Sequence, residues 1–137
     1  MPIRKLTTSQ PPDWSKRLDA YFLSFARKTF KWSPAYKEAL KRAFVEKRDG
    51  VEYYRCELGR EIVARPDKQL DHIEPVVPTG APWDRSWDGI RIRMFVPASK
   101  LQVLCKPCHR KKTNGENAER GRVWRSKSKR KSASRPA

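Results

Sequence analysis

The chain has 137 residues and a mass of 16.0 kDa, which is the size of one small domain and excludes two full hydrophobic cores. Its 32 Lys and Arg residues against 15 Asp and Glu residues give a net charge of +17. That excess favours a polyanionic partner such as nucleic acid over an acidic metabolite. Five Trp, five Phe and four Tyr residues supply enough apolar surface for a modest core.

The pattern along the chain predicts four segments of a small α+β protein. Residues 1–12 form a polar, flexible lead, and residues 13–50 form a helical part. Residues 51–118 form a mixed domain, and residues 119–137 form a basic tail that we expect to be disordered. Seven of the basic residues and no acidic one lie in residues 121–137, so the folded part is basic in its own right.

Two helices are predicted in the N-terminal part. Apolar residues recur at helical spacing over residues 13–30, which predicts the first helix. Ser33 followed by Pro34 is typical of a helix N-cap and first position, and it predicts a second helix that ends near the turn pair Asp49-Gly50. The apolar stripes of both helices predict core packing rather than a cofactor site.

The pattern then changes to short apolar runs that predict strands. These runs cover residues 51–56, 61–64 and 70–73, and a further apolar run follows at residues 101–104. Prolines predict a loop as far as about residue 90, and residues 90–96 alternate apolar and basic side chains in a way that fits a strand or a packed loop. Residues 106–117 are polar enough for a short surface helix.

The three cysteines form a candidate metal site. Cys105 and Cys108 have the Cys-x-x-Cys spacing with which two thiolates share one zinc ion, and Cys56 could supply a third thiolate. Their other interpretation is as small buried apolar residues. Adjacent residues on a helix point about 100° apart, so Cys108 and His109 fit two separate sites better than one.

The chain has two histidines, and each follows a residue with useful chemistry. Asp71 precedes His72, and it is the best carboxylate to join His109 in a second site. A hard cation such as Mg²⁺ needs only one or two protein ligands when phosphate and water complete its coordination. His72 would then be free to act as a general base.

Taken together, these motifs resemble the HNH endonucleases, and the phage-encoded branch in particular. The resemblance rests on YYRC at 53–56, DHIEPVVP at 71–78 and LQVLCKPCHRKKT at 101–113, within a match over about residues 36–116. It implies that residues 51–118 form a ββα-metal nuclease domain. The implied activity is hydrolysis of DNA phosphodiester bonds, with one strand cut at each site.

The resemblance also implies roles for individual residues. His72 would be the general base, and Asp71 and His109 would hold Mg²⁺ or Mn²⁺. Lys100 occupies the central catalytic position, where the family has an asparagine that orients the base. Lysine cannot accept a hydrogen bond. Two outcomes are open: a backbone carbonyl orients the base instead, or the activity is reduced or lost.

A structural Zn²⁺ site is a further implication, because zinc-containing relatives have two Cys-x-x-Cys pairs. The first pair is incomplete in this chain, since Gly59 stands where the second cysteine would be. The remaining thiolates are those of Cys56, Cys105 and Cys108. Water or a carboxylate such as that of Glu61 or Asp67 would complete four-coordination.

The expected partner is DNA. Basic residues on the predicted metal-binding helix would contact its phosphates; they are Lys106, Arg110, Lys111 and Lys112. We expect a monomer or weak dimer without membrane contact, since the chain has neither a bilayer-spanning apolar stretch nor an apolar secretory signal. A phage-encoded protein of this kind would act in the host cytoplasm, with phage packaging or replication proteins as further partners.

Two other functions fit parts of the sequence. Lys100 and Gly59 favour a weakened nuclease, or a zinc-ribbon-like module that only binds nucleic acid. The spacing His72-x-Glu74 followed by Cys-x-x-Cys also resembles a zinc-dependent nucleobase deaminase. That second interpretation leaves Asp71, Cys56 and His109 without a role, and Leu104 stands where the deaminase pattern has proline.

Overall fold

The computed structural model describes residues 12–80 and 86–134, so most of the predicted lead lies outside the described residues. Both predicted N-terminal helices are present, as α1 (Pro12–Phe30) and α2 (Pro34–Ala43). The Ser33 hydroxyl caps α2 by accepting from the Tyr36 amide at 3.3 Å. The prediction that the aromatic stripe of α1 packs in the core is wrong for Tyr21, Phe22 and Phe25, which are exposed. Helix α1 instead joins the core through Leu23, Ala26 and Phe30.

The prediction that the second helix extends to Asp49 is wrong. Helix α2 ends at Ala43, and β1 (Phe44–Arg48) pairs antiparallel with β2 (Val51–Arg55). Asp49 and Gly50 form the turn between them, with φ values of 52° and 77°. An Asp-Gly pair is a preferred sequence of a two-residue hairpin turn, and here it outweighs helix propensity. Strand β3 (Ile62–Ala64) completes a three-stranded sheet in the order β1-β2-β3.

A second, two-stranded sheet carries the residues of greatest interest. Strand β4 (Lys68–His72) pairs antiparallel with β5 (Leu101–Cys105), and all five residues of β5 are buried. Helix α4 (Lys106–Ala133) begins directly after β5. Two antiparallel strands followed by a helix are therefore the unit that positions the C-terminal motifs.

The interpretation of residues 90–96 as a strand or loop is also wrong, because this region contains α3 (Trp87–Met94). The Ser86 hydroxyl caps this helix by accepting from the Gly89 amide at 3.2 Å. Ile90 and Met94, four residues apart, are both buried on the face that meets the core. The alternating sequence IRIR imitates strand patterning, but burial of this i, i+4 pair selects the helix.

The predicted disordered tail is replaced by helix. Helix α4 continues for 28 residues to Ala133 rather than ending near residue 117. No residue of α4 is buried. The second half of this helix is therefore held mainly by its own backbone hydrogen bonds, without an apolar face packed on the core. None of the described helices is apolar over a long enough stretch to cross a membrane.

Candidate functional site

Strand pairing fixes the position of Asp71 and His72 at the end of β4. Asp71 lies opposite Gln102 and His72 opposite Leu101. The Gln102 amide donates to Asp71 Oδ2 at 3.3 Å. Because Leu101 and Gln102 are buried, this end of β4 is held against the core.

Helix α4 brings His109 to Asp71. Its Nε2 atom is 3.9 Å from Asp71 Oδ1, and the Asp71 side chain is only 19% exposed. Cys108, the preceding residue, instead joins Cys56 and Cys105. The structure therefore places Cys108 and His109 in two separate clusters, as their angular separation on a helix predicts.

The imidazole of His72 is held by groups that sequence reasoning did not identify. Its Nε2 atom is 2.8 Å from the Met94 carbonyl oxygen, and its ring lies on that of Phe30 with centroids 4.8 Å apart. A carbonyl can only accept, so Nε2 carries the hydrogen and Nδ1 is the nitrogen able to take up a proton. Helix α3 thus supplies the backbone carbonyl that orients His72.

Lys112 is the cation beside Asp71. Its Nζ donates to Asp71 Oδ2 at 2.8 Å, to the His72 carbonyl at 3.0 Å and to Glu116 Oε1 at 2.5 Å. Burial lowers the pKa of Lys112, but the hydrogen bonds to Asp71 and Glu116 outweigh burial and raise that pKa, so the ammonium stays charged. Lys112 is half-buried, which differs from the exposed DNA contact that the sequence predicts.

Asp71, His72 and His109 all line one cleft of about 630 Å³. Four cationic side chains lie around the same cleft: Arg27, Lys31, Lys68 and Arg120. The sequence does not indicate these four residues as a group, because they come from distant segments of the chain. Two lie at the end of α1 or just after it, one lies on β4 and one on α4. The cleft combines carboxylate, imidazole and surrounding positive charge, a combination suited to a phosphate group near a divalent cation.

Lys100 does not line this cleft. Its side chain lies in a smaller neighbouring cleft with His72, and its Nζ is 3.7 Å from Glu74 Oε1. Its carbonyl accepts from the Ile73 amide at 3.0 Å. In this arrangement Lys100 supports the end of β4 through its backbone, while the Met94 carbonyl orients His72.

The three cysteine Sγ atoms lie within 4.8 Å of one another, and this group could hold a metal ion such as zinc. Cys56 and Cys105 are buried and Cys108 is half-buried. Glu57 holds the neighbouring Cys56 close to β5 and its Cys105. The Glu57 amide donates to the Val103 carbonyl at 2.8 Å, and the Glu57 carboxylate accepts from the Val103 amide at 2.6 Å.

Gly59 occupies the remaining side of the cysteine group. A Cβ atom added there would lie 3.1 Å from Cys108 Sγ, 3.7 Å from Cys56 Sγ and 3.5 Å from Glu61 Oε1. A side chain at position 59 would therefore face the thiols. Of the two carboxylates that the sequence offers as a fourth ligand, Glu61 is beside this gap, whereas Asp67 pairs with Lys106 at 3.2 Å.

The electrostatics of the group favour a thiolate at Cys56. Burial alone would raise the pKa of Cys56, but hydrogen bonds from the backbone of Cys105, Gly59 and Leu58 lower it to about 7. Burial and the neighbouring thiols raise the pKa of Cys105 to about 11. A thiolate at Cys56 beside the protonated thiol of Cys105 is a state from which a cation can recruit further ligands.

The other predicted DNA-binding residues lie on the outer surface of α4. Arg110 and Lys111 are exposed, and Lys106 is exposed but paired with Asp67.

The deaminase arrangement requires His72 to join Cys105 and Cys108 at one ion. Lys68 lies opposite Cys105 in the β4–β5 pair, and His72 is four residues further along β4. Because a strand rises about 3.3 Å per residue, His72 is about 13 Å from Cys105 along the strand, too far for both to bind one ion.

No protein-family model, curated protein or solved structure matches this chain.

Proposed function

We propose that this protein is a divalent-metal-dependent DNA endonuclease of the HNH type, which hydrolyses phosphodiester bonds and nicks one strand at each site. The observation that carries the proposal is the meeting of Asp71, His72 and His109 in one basic cleft. The antiparallel strands β4 and β5, which α3 separates along the chain, and the helix α4 that follows β5 are compatible with a ββα-metal unit.

The residues present fit a divalent cation. Two ligands of one Mg²⁺ ion lie at most about 4.2 Å apart, since each ligand is about 2.1 Å from the ion. The 3.9 Å between Asp71 Oδ1 and His109 Nε2 is within that limit. When bound, the cation would supply positive charge to the phosphate and to the departing 3′ oxygen.

The chain's own groups would perform the proton transfer and the positioning. The Met94 carbonyl holds His72 Nε2, which leaves Nδ1 to take a proton from the attacking water. The cationic side chains around the cleft would hold the phosphates on either side of the bond to be cut. A phosphate contact carries no base information, so this arrangement predicts cleavage with little sequence preference.

A nucleic-acid-binding module without activity is the second candidate. It is favoured by Lys100 at the central position of the motif and by the pairing of Asp71 with Lys112. Such a module would use the same basic surface, so DNA binding alone cannot separate the two functions.

Incubation of supercoiled plasmid with Mg²⁺, Mn²⁺ or EDTA separates them. The nuclease proposal predicts open-circular product with metal, none with EDTA, and none with Asp71→Asn. The exposed neighbour Asp67→Asn is the matched control, because it removes an equal charge from the same region, and we expect its product to match that of the wild type. DNA binding without nicking under any metal would favour the binding module.

A further inference from the structure

The surroundings of the Lys112 ammonium resemble a site for a hard metal ion. Its three partners are the Asp71 carboxylate, the Glu116 carboxylate and the His72 carbonyl. Carboxylate and carbonyl oxygens are also the ligands that Mg²⁺ and Mn²⁺ prefer. The lysine side chain is only 19% exposed, so this arrangement is built into the fold rather than formed at the surface.

One carboxylate lies between the two cations. Asp71 Oδ2 accepts from Lys112 at 2.8 Å, while Asp71 Oδ1 faces His109 Nε2 at 3.9 Å. A divalent ion held by Asp71 and His109 would therefore lie within a few ångströms of the ammonium. Two positive charges at that distance repel strongly in a partly buried site.

Glu116 offers the ammonium a second position. It is four residues after Lys112 on α4, it is half-buried, and it already accepts from Lys112. Lys112 can therefore leave Asp71 and keep a charged partner.

We propose that Lys112 is an internal competitor for the divalent cation: it neutralises Asp71, and binding of the cation moves its ammonium from Asp71 onto Glu116. The inference rests on the proposed function, because it takes Asp71 and His109 as the cation ligands. It differs from a purely structural role for Lys112, which predicts that removal of the lysine weakens cation binding.

The test is titration of zinc-loaded protein with Mn²⁺, followed by electron paramagnetic resonance of the free ion. We expect Lys112→Met to bind Mn²⁺ about tenfold more tightly than the wild type, because a competing charged hydrogen bond is removed. Lys111→Met removes an equal charge from the adjacent exposed position and should change the affinity by less than about twofold. Metal-free Lys112→Met should also unfold at a lower temperature than Lys111→Met, and Mn²⁺ should restore more of its stability.

The Mn²⁺ affinities of the Asp71 and Lys112 variants test the cation site and the competition separately. If Asp71→Asn abolishes the Mn²⁺ site but Lys112→Met binds as the wild type or more weakly, the competition is refuted and the cation site stands. If Asp71→Asn changes nothing, the site and the inference both fail. Lys112→Gln keeps a hydrogen-bond donor without the charge, so it gives the same comparison should Lys112→Met not fold.

Discussion

Introducing a fourth cysteine tests the geometry of the cysteine group in detail. In Gly59→Cys the new Cβ would lie 3.1 Å from Cys108 Sγ and 3.7 Å from Cys56 Sγ. Sulfur atoms of a tetrahedral zinc site lie about 3.8 Å apart, since each Zn–S bond is about 2.3 Å. The added thiol, one bond beyond that Cβ, is therefore within reach of an ion shared with the other three.

The magnitude follows from the number of ligands. A structural zinc site contributes about 10–16 kcal/mol over four ligands, or about 3 kcal/mol per ligand. Replacing a water or carboxylate ligand by a thiolate should recover most of the binding free energy of one ligand. This corresponds to a zinc Kd lower by about a hundredfold. The close approach to Cys108 requires that side chain to shift by a few tenths of an ångström, so we expect the metal-free variant to be slightly less stable than the wild type.

Competition with a chromophoric chelator, under reducing conditions, measures the zinc affinity directly. Gly59→Ser is the matched control, because it adds the same Cβ and a similar volume without a thiol. We expect tighter zinc binding for Gly59→Cys alone. Equal affinities for the cysteine and serine variants would show that position 59 does not face the ion.

Three further predictions concern other parts of the molecule. Glu61→Gln should weaken zinc binding severalfold because Glu61 lies beside the open side of the cysteine group, whereas Asp67→Asn should not; equal effects would exclude Glu61 as the fourth ligand. The folded pKa of Cys56, about 7, is below its ordinary value of 9.0, so its thiolate contributes stability that is complete above about pH 9 and disappears as the pH falls through 7. In metal-free, reduced protein, chemical unfolding should therefore show the stability advantage of the wild type over Cys56→Ser growing from pH 7 to pH 9, and a constant difference would contradict the lowered pKa. Removal of residues 119–137 should make DNA binding less sensitive to salt, with the log–log slope falling by about 0.9 for each phosphate that this segment neutralises, and an unchanged slope would show that it neutralises none.

Local sequence signals are sufficient where one short pattern determines the structure. The Ser33-Pro34 start of α2, strands β2 to β4 and the separation of Cys108 from His109 all follow from such patterns. The β1–β2 hairpin does not, although its Asp49-Gly50 signal is visible, because the apolar spacing of α2 continues through Phe44 and favours a longer helix.

Other features could not be predicted from the sequence because they depend on contacts between distant residues. The Met94 carbonyl that orients His72 comes from 22 residues further along the chain, on a helix whose alternating sequence favours a strand or loop. The half-buried position of Lys112 depends on packing of α4 against β4, and no local pattern separates it from the exposed Lys111. A basic run identifies a cationic surface but not which of its charges the fold pairs internally.

The most direct test of the central claim is single-turnover cleavage of a short DNA duplex by His72→Ala at saturating Mg²⁺ and DNA. Loss of a general base costs about 10²- to 10⁴-fold in rate. The proposed mechanism predicts a loss in this range while the Kd for DNA and for Mn²⁺ stays within about twofold of the wild type. Cleavage by His72→Ala at the wild-type rate, with binding unchanged, would contradict the assignment of His72 as the base.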